Sequence, residues 1–294
     1  MKILVTGSNG QVGWELARTL LPLGEVIAAT RQQLNLAELG QLRHEIRRIG
    51  PDIIVNAAAY TAVDKAEQEP ELAHLINAEA PLVMAEEMKA RNGLLLHFST
   101  DYVFDGSMDR PYRESDDTCP INRYGHSKLA GEVVIRESGV DHIILRTSWV
   151  YASRGHNFLK TMLRLAAERQ ELKIVADQIG APTWARLIAE TTSHVLKQSQ
   201  HERRQGDFSS DLYHLTSSGA ASWHDFAEAI IDLARQSETH PVSVRHIEPI
   251  PTTSYPLPAR RPMNSKLSLD KLEKKFSLKM PPWRDALRLC MQEL

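Results

Sequence analysis

The sequence predicts an α/β fold in which a doubly wound parallel sheet is joined to a smaller C-terminal α/β domain. Short apolar runs of strand type alternate with helical patterns through the first half of the chain, and this alternation loosens in the second half. A glycine-rich turn follows the first apolar run. We expect the first domain to span residues 1–150 and the second mainly residues 151–294, with a chain that could cross back to the first domain.

The composition of the 294 residues is typical of a soluble globular protein, and we expect its partner to be a small molecule because of its charge. A net charge of -2 provides no attraction for nucleic acid or for an anionic membrane. Cys119 and Cys290 lie far apart without a C-x-x-C motif, which indicates a reducing compartment and neither disulfides nor zinc. No run approaches the roughly 18 apolar residues of a membrane span, and no signal-peptide pattern precedes the first strand. We therefore expect a cytoplasmic protein.

The first strand, Lys2–Thr6, runs into a glycine-rich turn, and a helical pattern begins at Trp14. The turn has the spacing G-x-x-G-x-x-G, formed by Gly7, Gly10 and Gly13. Strand, turn and helix in this order are typical of a Rossmann-like dinucleotide-binding unit. The glycines permit a tight turn, close approach of backbone N–H groups to a pyrophosphate, and close packing of helix on strand. A plain turn between strand and helix is the alternative.

The second strand, Glu25–Ala29, ends at Thr30 and Arg31. An acidic residue at this place commonly binds the ribose 2′-hydroxyl of NAD, whereas an arginine accommodates the 2′-phosphate of NADP. No Asp or Glu stands at the strand end, so Arg31 favours NADPH. An arginine in a solvated loop is the alternative.

The next segments are predicted from their spacing and their breaks. Apolar residues at helical spacing predict a helix over residues 35–50, closed by a Gly-Pro stop. Asp52–Asn56 is a strand that runs into Ala57–Thr61, whose small side chains could admit a flat cofactor or simply form a turn. Two prolines predict that residues 64–91 form two helices or a kinked pair.

A further buried strand, Leu94–Phe98, delivers Ser99–Tyr102 to the carboxyl end of the sheet. In open α/β sheets this is the edge where ligands bind. We therefore expect Thr100, a small hydroxyl just past the strand, to hydrogen-bond a substrate oxygen. The loop over residues 104–122 is long enough to form a cover over the site.

A tyrosine and a lysine follow at helical spacing. If Tyr124 opens a helix, Lys128 lies one turn further on the same face. The cation would favour the phenolate and lower the pKa of Tyr124 from its usual value of about 10, toward one usable in acid/base catalysis. A helix start that carries the two residues by chance is the alternative. Trp149, just past the strand His142–Thr147, could form a flat wall for a sugar or base, or belong to the core.

The second half offers fewer candidates. We predict helices over residues 156–170, 185–198 and 223–236, strands over 172–175, 212–216 and 242–247, a polar surface connection over 199–210, and a proline-rich loop over 251–267. The adjacent Arg260 and Arg261 in this loop could clamp a diphosphate or remain solvated. The histidines are scattered without ligand spacing, so the sequence predicts no zinc site.

Several motifs stand together in order. They are Gly7-x-x-Gly10-x-x-Gly13, Asn56–Ala59, Thr100–Gly106 (TDYVFDG), Tyr124-x-x-x-Lys128, Arg146–Tyr151 (RTSWVY), Asp177–Thr183 (DQIGAPT) and Ala259–Pro262 (ARRP). This series resembles the extended short-chain dehydrogenase/reductases that act on nucleotide sugars, and within them the dTDP-4-dehydrorhamnose reductase family. The resemblance runs over nearly the whole chain.

The resemblance implies that NAD(P)H delivers a hydride to C4 of dTDP-4-dehydro-L-rhamnose, giving dTDP-L-rhamnose for lipopolysaccharide and O-antigen synthesis. It implies that Tyr124 donates the proton, that Lys128 lowers the pKa of Tyr124 and holds the nicotinamide ribose, and that Thr100 orients the C4 oxygen. The implied substrate residues are Thr100, Asp101, Trp149 and Arg260. The implied cofactor residues, besides Arg31, Tyr124 and Lys128, are Gly7, Gly10, Gln11, Val12, Gly13, Asn35, Leu36, Ala59, Tyr60, Thr61 and Phe98.

Two details of the resemblance concern the cofactor and the assembly. Some relatives carry Asp where this chain has Thr30, and that departure favours NADPH over NADH. Certain relatives form magnesium-bridged homodimers through carboxylates, which makes Glu15 a candidate Mg²⁺ ligand. Two other functions share the same features: a nucleotide-sugar epimerase or dehydratase with tightly bound NAD, and a non-catalytic regulatory subunit of the methionine adenosyltransferase type.

Overall fold

The computed structural model describes residues 1–237 and 239–294. The strands are β1 (Lys2–Thr6), β2 (Glu25–Ala29), β3 (Ile53–Asn56), β4 (Leu94–Thr100), β5 (Asp141–Thr147), β6 (Val150–Tyr151), β7 (Glu171–Val175), β8 (Ile179–Gly180), β9 (Thr183–Trp184), β10 (Asp211–His214), β11 (Ala221–Ser222) and β12 (His246–Ile250). The α-helices are α1 (Gln11–Thr19), α2 (Leu39–Ile49), α3 (Val63–Ala66), α4 (Pro70–His74), α5 (Ala80–Ala90), α6 (Arg123–Ser138), α7 (Phe158–Glu168), α8 (Ala185–Gln205), α9 (Trp223–Arg235), α10 (Asp270–Phe276) and α11 (Trp283–Met291).

A six-stranded sheet in the order β10-β5-β4-β3-β1-β2 forms the centre of the molecule. All its pairs are parallel, as the predicted α/β fold requires. Its central strands are apolar on both faces because helices cover both faces. Ile3 and Val5 of β1 pack in one core, with residues of α1 and α8, whereas Leu4 packs in the core on the other face. The predicted doubly wound sheet is confirmed.

The turn between β1 and α1 is compact because it contains glycine at two close approaches. Gly7 has a φ of +67°, a backbone conformation that glycine adopts at no steric cost. A Cβ on Gly13 would lie 2.1 Å from the Gly7 carbonyl oxygen, so any side chain there would push the helix off the turn. The sequence prediction of close packing between helix and strand is confirmed at this point.

The segment predicted as two helices or a kinked pair divides further. Three short helices, α3 to α5, are interrupted by a π-helical turn over Leu75–Glu79. Pro70 and Pro81 each stand in the first turn of a helix, where a missing N–H costs little. The π turn carries the buried Asn77, whose side chain bonds the backbone of Tyr60 and the Ser127 hydroxyl. The π turn thereby connects the loop after β3 with helix α6.

The predicted boundaries differ from the structure most in the second half. Helix α8 continues to Gln205, so the predicted surface connection over residues 199–210 is wrong for its first half. The helix persists because Ser199 is buried and Glu202 and Arg203 are bound by Lys275 and Asp141. Strand β12 starts later than predicted, α2 begins at Leu39 after a turn, and α10 and α11 were not predicted.

The second half of the chain contributes to both layers of the molecule. Strand β10 pairs in parallel with β5 at the edge of the six-stranded sheet. Helix α8 packs against α1 and adds Ile188 and Val195 to the first core. A separate core forms between α7, α9 and α11, with Phe226 and Trp283 among its buried residues. A domain boundary after residue 150 stays a prediction. Across the described residues, every helix is too short or too polar to cross a bilayer.

Candidate active site

A cleft of about 1060 Å³ opens at the carboxyl ends of the parallel strands. Most of the predicted site residues line it: Gly7, Gly10, Gln11, Val12, Arg31, Asn35, Leu36, Ala59, Tyr60, Thr61, Phe98, Thr100, Asp101, Tyr124, Lys128 and Trp149. The structure thus brings together side chains from five strand ends that are far apart in sequence. The volume is close to the upper end of the range of about 300–1,000 Å³ that is typical of sites for small molecules and cofactors.

One end of the cleft is formed by the glycine turn and the first turn of α1. The Gly10 N–H donates to the Gly7 carbonyl at 2.8 Å, and the Trp14 N–H donates to Gly10 at 3.0 Å. A Cβ on Gly7 would lie 2.9 Å from Ala58 Cα, so the turn lies against the β3 loop with no space for a side chain. Helix N-termini favour anions through unpaired N–H groups and the helix dipole. This surface therefore fits a dinucleotide pyrophosphate.

Beyond the turn, the cleft passes the end of β2. Arg31 is exposed and lines the cleft beside Asn35, while Leu34 and Leu36 are buried beneath them. The Asn35 side chain accepts from the Ala37 N–H at 3.2 Å, which fixes the turn before α2. A cationic rim above apolar side chains suits an adenosine with a 2′-phosphate.

The proposed acid lies at the start of α6. The Asn122 side chain caps this helix by accepting from the Gly125 N–H at 2.8 Å, which places Tyr124 in the first turn. Burial raises the pKa of Tyr124 to about 12, and a hydrogen bond with Thr100 opposes the rise. The pKa of Tyr124 therefore lies above its usual value, opposite to the predicted lowering by Lys128. Tyr124 carries its proton and can donate it.

Lys128 lies at the floor of the cleft and is only 2 % exposed. Its Nζ donates to the Phe98 carbonyl at 2.6 Å and lies 3.1 Å from His97 Nε2. Burial lowers the pKa of Lys128 to about 8, and the nearby Glu132 opposes this fall. Glu132 itself is paired with the buried Arg146 at 2.6 Å. The Lys128 ammonium thus makes its hydrogen bonds with two residues near the end of β4, Phe98 and His97.

Thr100 and Asp101 share one hydrogen bond at the end of β4. The Thr100 hydroxyl donates to Asp101 Oδ1 at 2.9 Å and accepts from the Tyr102 N–H at 3.2 Å. Burial raises the pKa of Asp101 to about 6, although hydrogen bonds to the carboxylate oppose the rise. Thr100 is therefore held in one orientation next to Tyr124.

The other end of the cleft has an aromatic wall. Trp149 stacks on Trp223 with ring centroids 3.6 Å apart and an interplanar angle of 5°, and Phe158 packs behind Trp223. Trp149 has a φ of +47°, which is rare for a large side chain. A Cβ on Gly180 would lie 2.5 Å from the Trp149 ring, so glycine is required there. Trp149 thus lines the cleft with its ring held in a fixed position.

Sequence reasoning missed some of the lining residues. Asn9, His156 and Trp223 line the cleft without having been predicted. Trp223 stands at the first position of α9, directly after Ser222, which forms a capping box with Asp225. The S-x-x-D pattern could have located the helix start, but no sequence signal places it beside Trp149.

Three predicted residues lie outside the cleft lining. Gly13 is buried under the turn, Glu15 lies on α1 near the C-terminus of the chain, and Arg260 is exposed. The backbone carbonyl of Arg260 accepts from Asn122 at 2.8 Å, whereas the Arg261 side chain pairs with Asp64 at 2.7 Å. The Arg260 side chain is thus exposed and the Arg261 side chain is bound to the protein, so the predicted role of Arg260 in substrate binding stays a prediction.

The carboxylate of Glu15 has charged neighbours. Burial and the charge of Glu293 raise its pKa. Glu293 in turn accepts from Arg186 at 2.7 Å. Among the residues that the structure describes, only the side chains of His224, Asp225 and Glu228 bring three possible metal ligands within 4.8 Å of one another.

The chain is similar to known proteins over its whole length. The chain matches the RmlD substrate binding domain family over residues 1–294. A dTDP-4-dehydrorhamnose reductase of Burkholderia thailandensis is 53% identical over 295 residues, covering 100% of this chain and 99% of the relative. A crystal structure of a dTDP-4-dehydrorhamnose reductase from Clostridium acetobutylicum has a TM-score of 0.90 at 34% identity, with 100% and 99% of the two chains covered. A Bacillus anthracis enzyme of the same name, solved in complex with NADP, has a TM-score of 0.89 at 34% identity over 100% and 99%.

Proposed function

We propose a reaction for this chain from the premise that it belongs to the dTDP-4-dehydrorhamnose reductase family. It is an NADPH-dependent oxidoreductase of dTDP-rhamnose synthesis, which reduces the C4 ketone of dTDP-4-dehydro-L-rhamnose to the alcohol of dTDP-L-rhamnose. The observation that carries the assignment to these residues is that Tyr124, Thr100 and the glycine turn line the same cleft. A proton donor, a hydroxyl and a dinucleotide surface are the parts that a ketone reduction requires.

NADPH, when bound, supplies the hydride that reduces the C4 carbon. We assign its pyrophosphate to the segment Gly10–Val12, with the N–H groups of Gln11 and Val12 as donors because the Gly10 N–H donates to the Gly7 carbonyl. We assign its 2′-phosphate to Arg31 and its nicotinamide end to the surface near Ala59 and Tyr60. The Gly7 position supports this assignment, because a Cβ there would fill the space against Ala58.

The protein's own part in the reaction is a proton transfer. The Tyr124 hydroxyl donates its proton to the C4 oxygen as that oxygen becomes an alkoxide, and Tyr124 is left as a phenolate. The pKa of Tyr124, raised by burial to about 12, keeps the proton in place until the alkoxide develops. The Lys128 ammonium then stabilises the phenolate, so its electrostatic effect is needed after the transfer and not before it. Thr100 orients the C4 oxygen by turning its hydroxyl proton from Asp101 Oδ1 to that oxygen.

The sugar half of the substrate is assigned to the aromatic wall. Trp149 offers a flat face held by Trp223, and Asp101 lies beside Thr100 at the reacting end. Aromatic faces bind the apolar face of a sugar ring or a base by dispersion and stacking. We therefore place the dTDP-sugar between this wall and Tyr124.

The test is a spectrophotometric assay of NADPH and NADH oxidation with dTDP-4-dehydrorhamnose and with other 4-keto nucleotide sugars. We expect one NADPH to be oxidised for each dTDP-L-rhamnose formed. Sugar conversion without net oxidation, by protein purified with bound NAD, would instead indicate an epimerase or dehydratase. Absence of turnover on any dTDP-sugar, with a co-purifying synthetase, would indicate a regulatory subunit.

We also propose that the protein binds Mg²⁺ and forms a homodimer. Carboxylate oxygens are ligands that Mg²⁺ prefers, and Glu15 lies close enough to Glu293 for the second charge to raise the pKa of the first. The competing ion pair from Arg186 to Glu293 argues against a preformed site. We expect a chelator to shift the protein from dimer to monomer in size-exclusion chromatography. An elution volume that does not respond to chelator or Mg²⁺ would remove the metal from the account.

A further inference from the structure

A chain of four buried polar side chains runs under the cleft from β1 to α6. Thr6 Oγ1 lies 2.7 Å from Asn56 Oδ1, Asn56 Nδ2 lies 3.0 Å from His97 Nδ1, and His97 Nε2 lies 3.1 Å from Lys128 Nζ. Thr6, Asn56 and His97 are each 1 % exposed, and Lys128 is 2 % exposed. The first three occupy paired positions on the neighbouring strands β1, β3 and β4. The reaction described above uses only the last member.

His97, in the middle of this series of contacts, has to satisfy two partners with one ring proton. Burial and the charge of Lys128 hold the pKa of His97 well below its usual value, so the imidazole is neutral. A neutral imidazole has one donor and one acceptor, whereas an ammonium has three donors and no acceptor. Facing a charged Lys128, His97 Nε2 has to be the acceptor, and the ring proton resides on Nδ1.

That tautomer sets the orientation of the next amide. An Nδ1–H group needs an acceptor. A half-turn rotation of the Asn56 amide group exchanges the positions of its oxygen and its nitrogen, and the amide oxygen then takes the place of Nδ2, 3.0 Å from His97 Nδ1. The amide nitrogen of Asn56 then donates to Thr6 Oγ1, which also accepts from the Ala58 N–H at 3.1 Å. In this arrangement both ring nitrogens of His97 and both polar atoms of the Asn56 amide have a partner, as buried polar groups generally do.

We propose that His97 is a positioning residue for Lys128, with Asn56 holding His97 in the tautomer whose Nε2 accepts from the ammonium. The Phe98 carbonyl and His97 Nε2 take two of the three N–H groups of Lys128. The third remains for the cleft, which Lys128 lines together with Tyr124. The other charged groups near Lys128 are Glu132, on the same helix, and Arg146 of β5, which pairs with it.

A matched pair of substitutions separates positioning from packing. Glutamine and methionine have nearly the same shape, but only His97→Gln keeps an acceptor where Nε2 stands. We expect His97→Met to lose kcat roughly tenfold to a hundredfold, as for a lost hydrogen bond to a charged group, with KM for the sugar unchanged. The alkaline limb of its kcat profile should move to lower pH, because the ammonium has lost an acceptor. His97→Gln should retain most of the wild-type kcat and its pH profile.

A control comes from another buried histidine. His142 on β5 is also buried, and its Nδ1 contacts the Val140 carbonyl at 2.9 Å, away from Lys128. His142→Met is expected to affect stability without moving the pH profile. Wild-type kcat and pH profile in folded His97→Met would overturn the proposal. So would equal losses in His97→Gln and His97→Met with an unmoved profile.

The activity readouts rest on the proposed function, and a second measurement does not. ¹⁵N NMR of the wild-type protein, with the His97 signals assigned by their loss in His97→Gln, reports which ring nitrogen carries the proton. We expect Nδ1 protonated and Nε2 bare below the pKa of Lys128. A proton on Nε2 would overturn the proposal even if the methionine variant failed to fold. A wild-type enzyme inactive on the sugar would refute the proposed function alone.

Discussion

The two ends of the cleft are built from different parts of the chain. At the cofactor end, main chain forms the surface: Gly7 lies against Ala58, and the N-terminus of α1 points its N–H groups outward. At the sugar end, side chains form it, with Trp149 stacked on Trp223. One added Cβ atom is enough to disrupt a surface formed by the backbone, whereas a surface formed by side chains can be changed by one substitution at a time while the others remain. We therefore expect cofactor binding to respond sharply to substitution and sugar binding to respond gradually.

The largest effect should come where the two ends meet. Tyr124→Phe removes only the hydroxyl and keeps the edge-to-face contact with Tyr102, whose ring centroid is 5.8 Å away. We expect kcat to fall by about 10²–10⁴, the usual range for a lost general acid. Fluorescence titration should show unchanged NADPH affinity. Turnover near the wild-type value would remove Tyr124 from its assigned role.

The cofactor end is tested by a single methyl group. Gly13→Ala would place a Cβ 2.1 Å from the Gly7 carbonyl oxygen. We expect a loss of about 1–3 kcal/mol in the free energy of unfolding, as for overpacking, together with weaker NADPH binding. Gly40→Ala on α2 is the control, since a Cβ there would project into open space. Denaturant melts and NADPH titrations of both variants check the contrast, and equal behaviour would contradict it.

Cofactor choice should depend on Arg31. We expect Arg31→Ala to weaken NADPH binding by roughly tenfold to a hundredfold, as for a lost hydrogen bond between charged groups, and to leave NADH nearly unaffected. Arg48→Ala removes an exposed arginine that pairs with Glu45 outside the cleft, and it should change neither affinity. Equal losses for NADPH and NADH in Arg31→Ala would show that this side chain does not read the 2′-phosphate.

The pH dependence follows from Lys128. Its ammonium is present below the pKa of about 8 and is lost above it. Because kcat/KM reports the groups of the free enzyme, we expect kcat/KM to fall as pH rises through about 8. Tyr124 keeps its proton in this range, since burial raises its pKa to about 12. The fall should be absent in Lys128→Met, whose activity is low throughout. A persistent fall in that variant would assign it to another group.

The smallest effect is expected at the sugar end. Trp223→Leu removes the ring that supports Trp149 but leaves Trp149 itself. We expect KM for the dTDP-sugar to rise about threefold to tenfold, which corresponds to the 0.5–1.5 kcal/mol typical of an aromatic pair. NADPH affinity should stay unchanged. An unchanged KM would mean that Trp149 needs no support from Trp223.

The difference between the cofactor end and the sugar end of the cleft also explains which site residues could be predicted from the sequence. The glycine turn, Thr100 and Tyr124 follow directly from strand ends and helix starts, so local patterns were enough to place them in one cleft. Trp223 reaches the cleft from a helix far along the chain, and only tertiary packing brings it to Trp149. The pKa of Tyr124 was predicted to fall because the spacing shows a neighbouring lysine, but the spacing does not show the burial that raises this pKa.

Helix ends were the other weakness. Residues 199–205 are too polar to be recognised as helix by apolar spacing, yet ion pairs from Lys275 and Asp141 hold them there. The partners of these residues lie far away in sequence. Arg260 and Arg261 looked equivalent in the sequence, but the structure turns the first to solvent and pairs the second with Asp64.

The central claim is that a hydride passes from the nicotinamide to C4 of the sugar while Tyr124 supplies the proton. The most direct test uses NADPH deuterated at the transferable position of the nicotinamide, with dTDP-4-dehydrorhamnose and the wild-type enzyme. We predict dTDP-L-rhamnose that carries one deuterium, at C4, by NMR and mass spectrometry. Product without deuterium, or with deuterium at another carbon, would contradict the account.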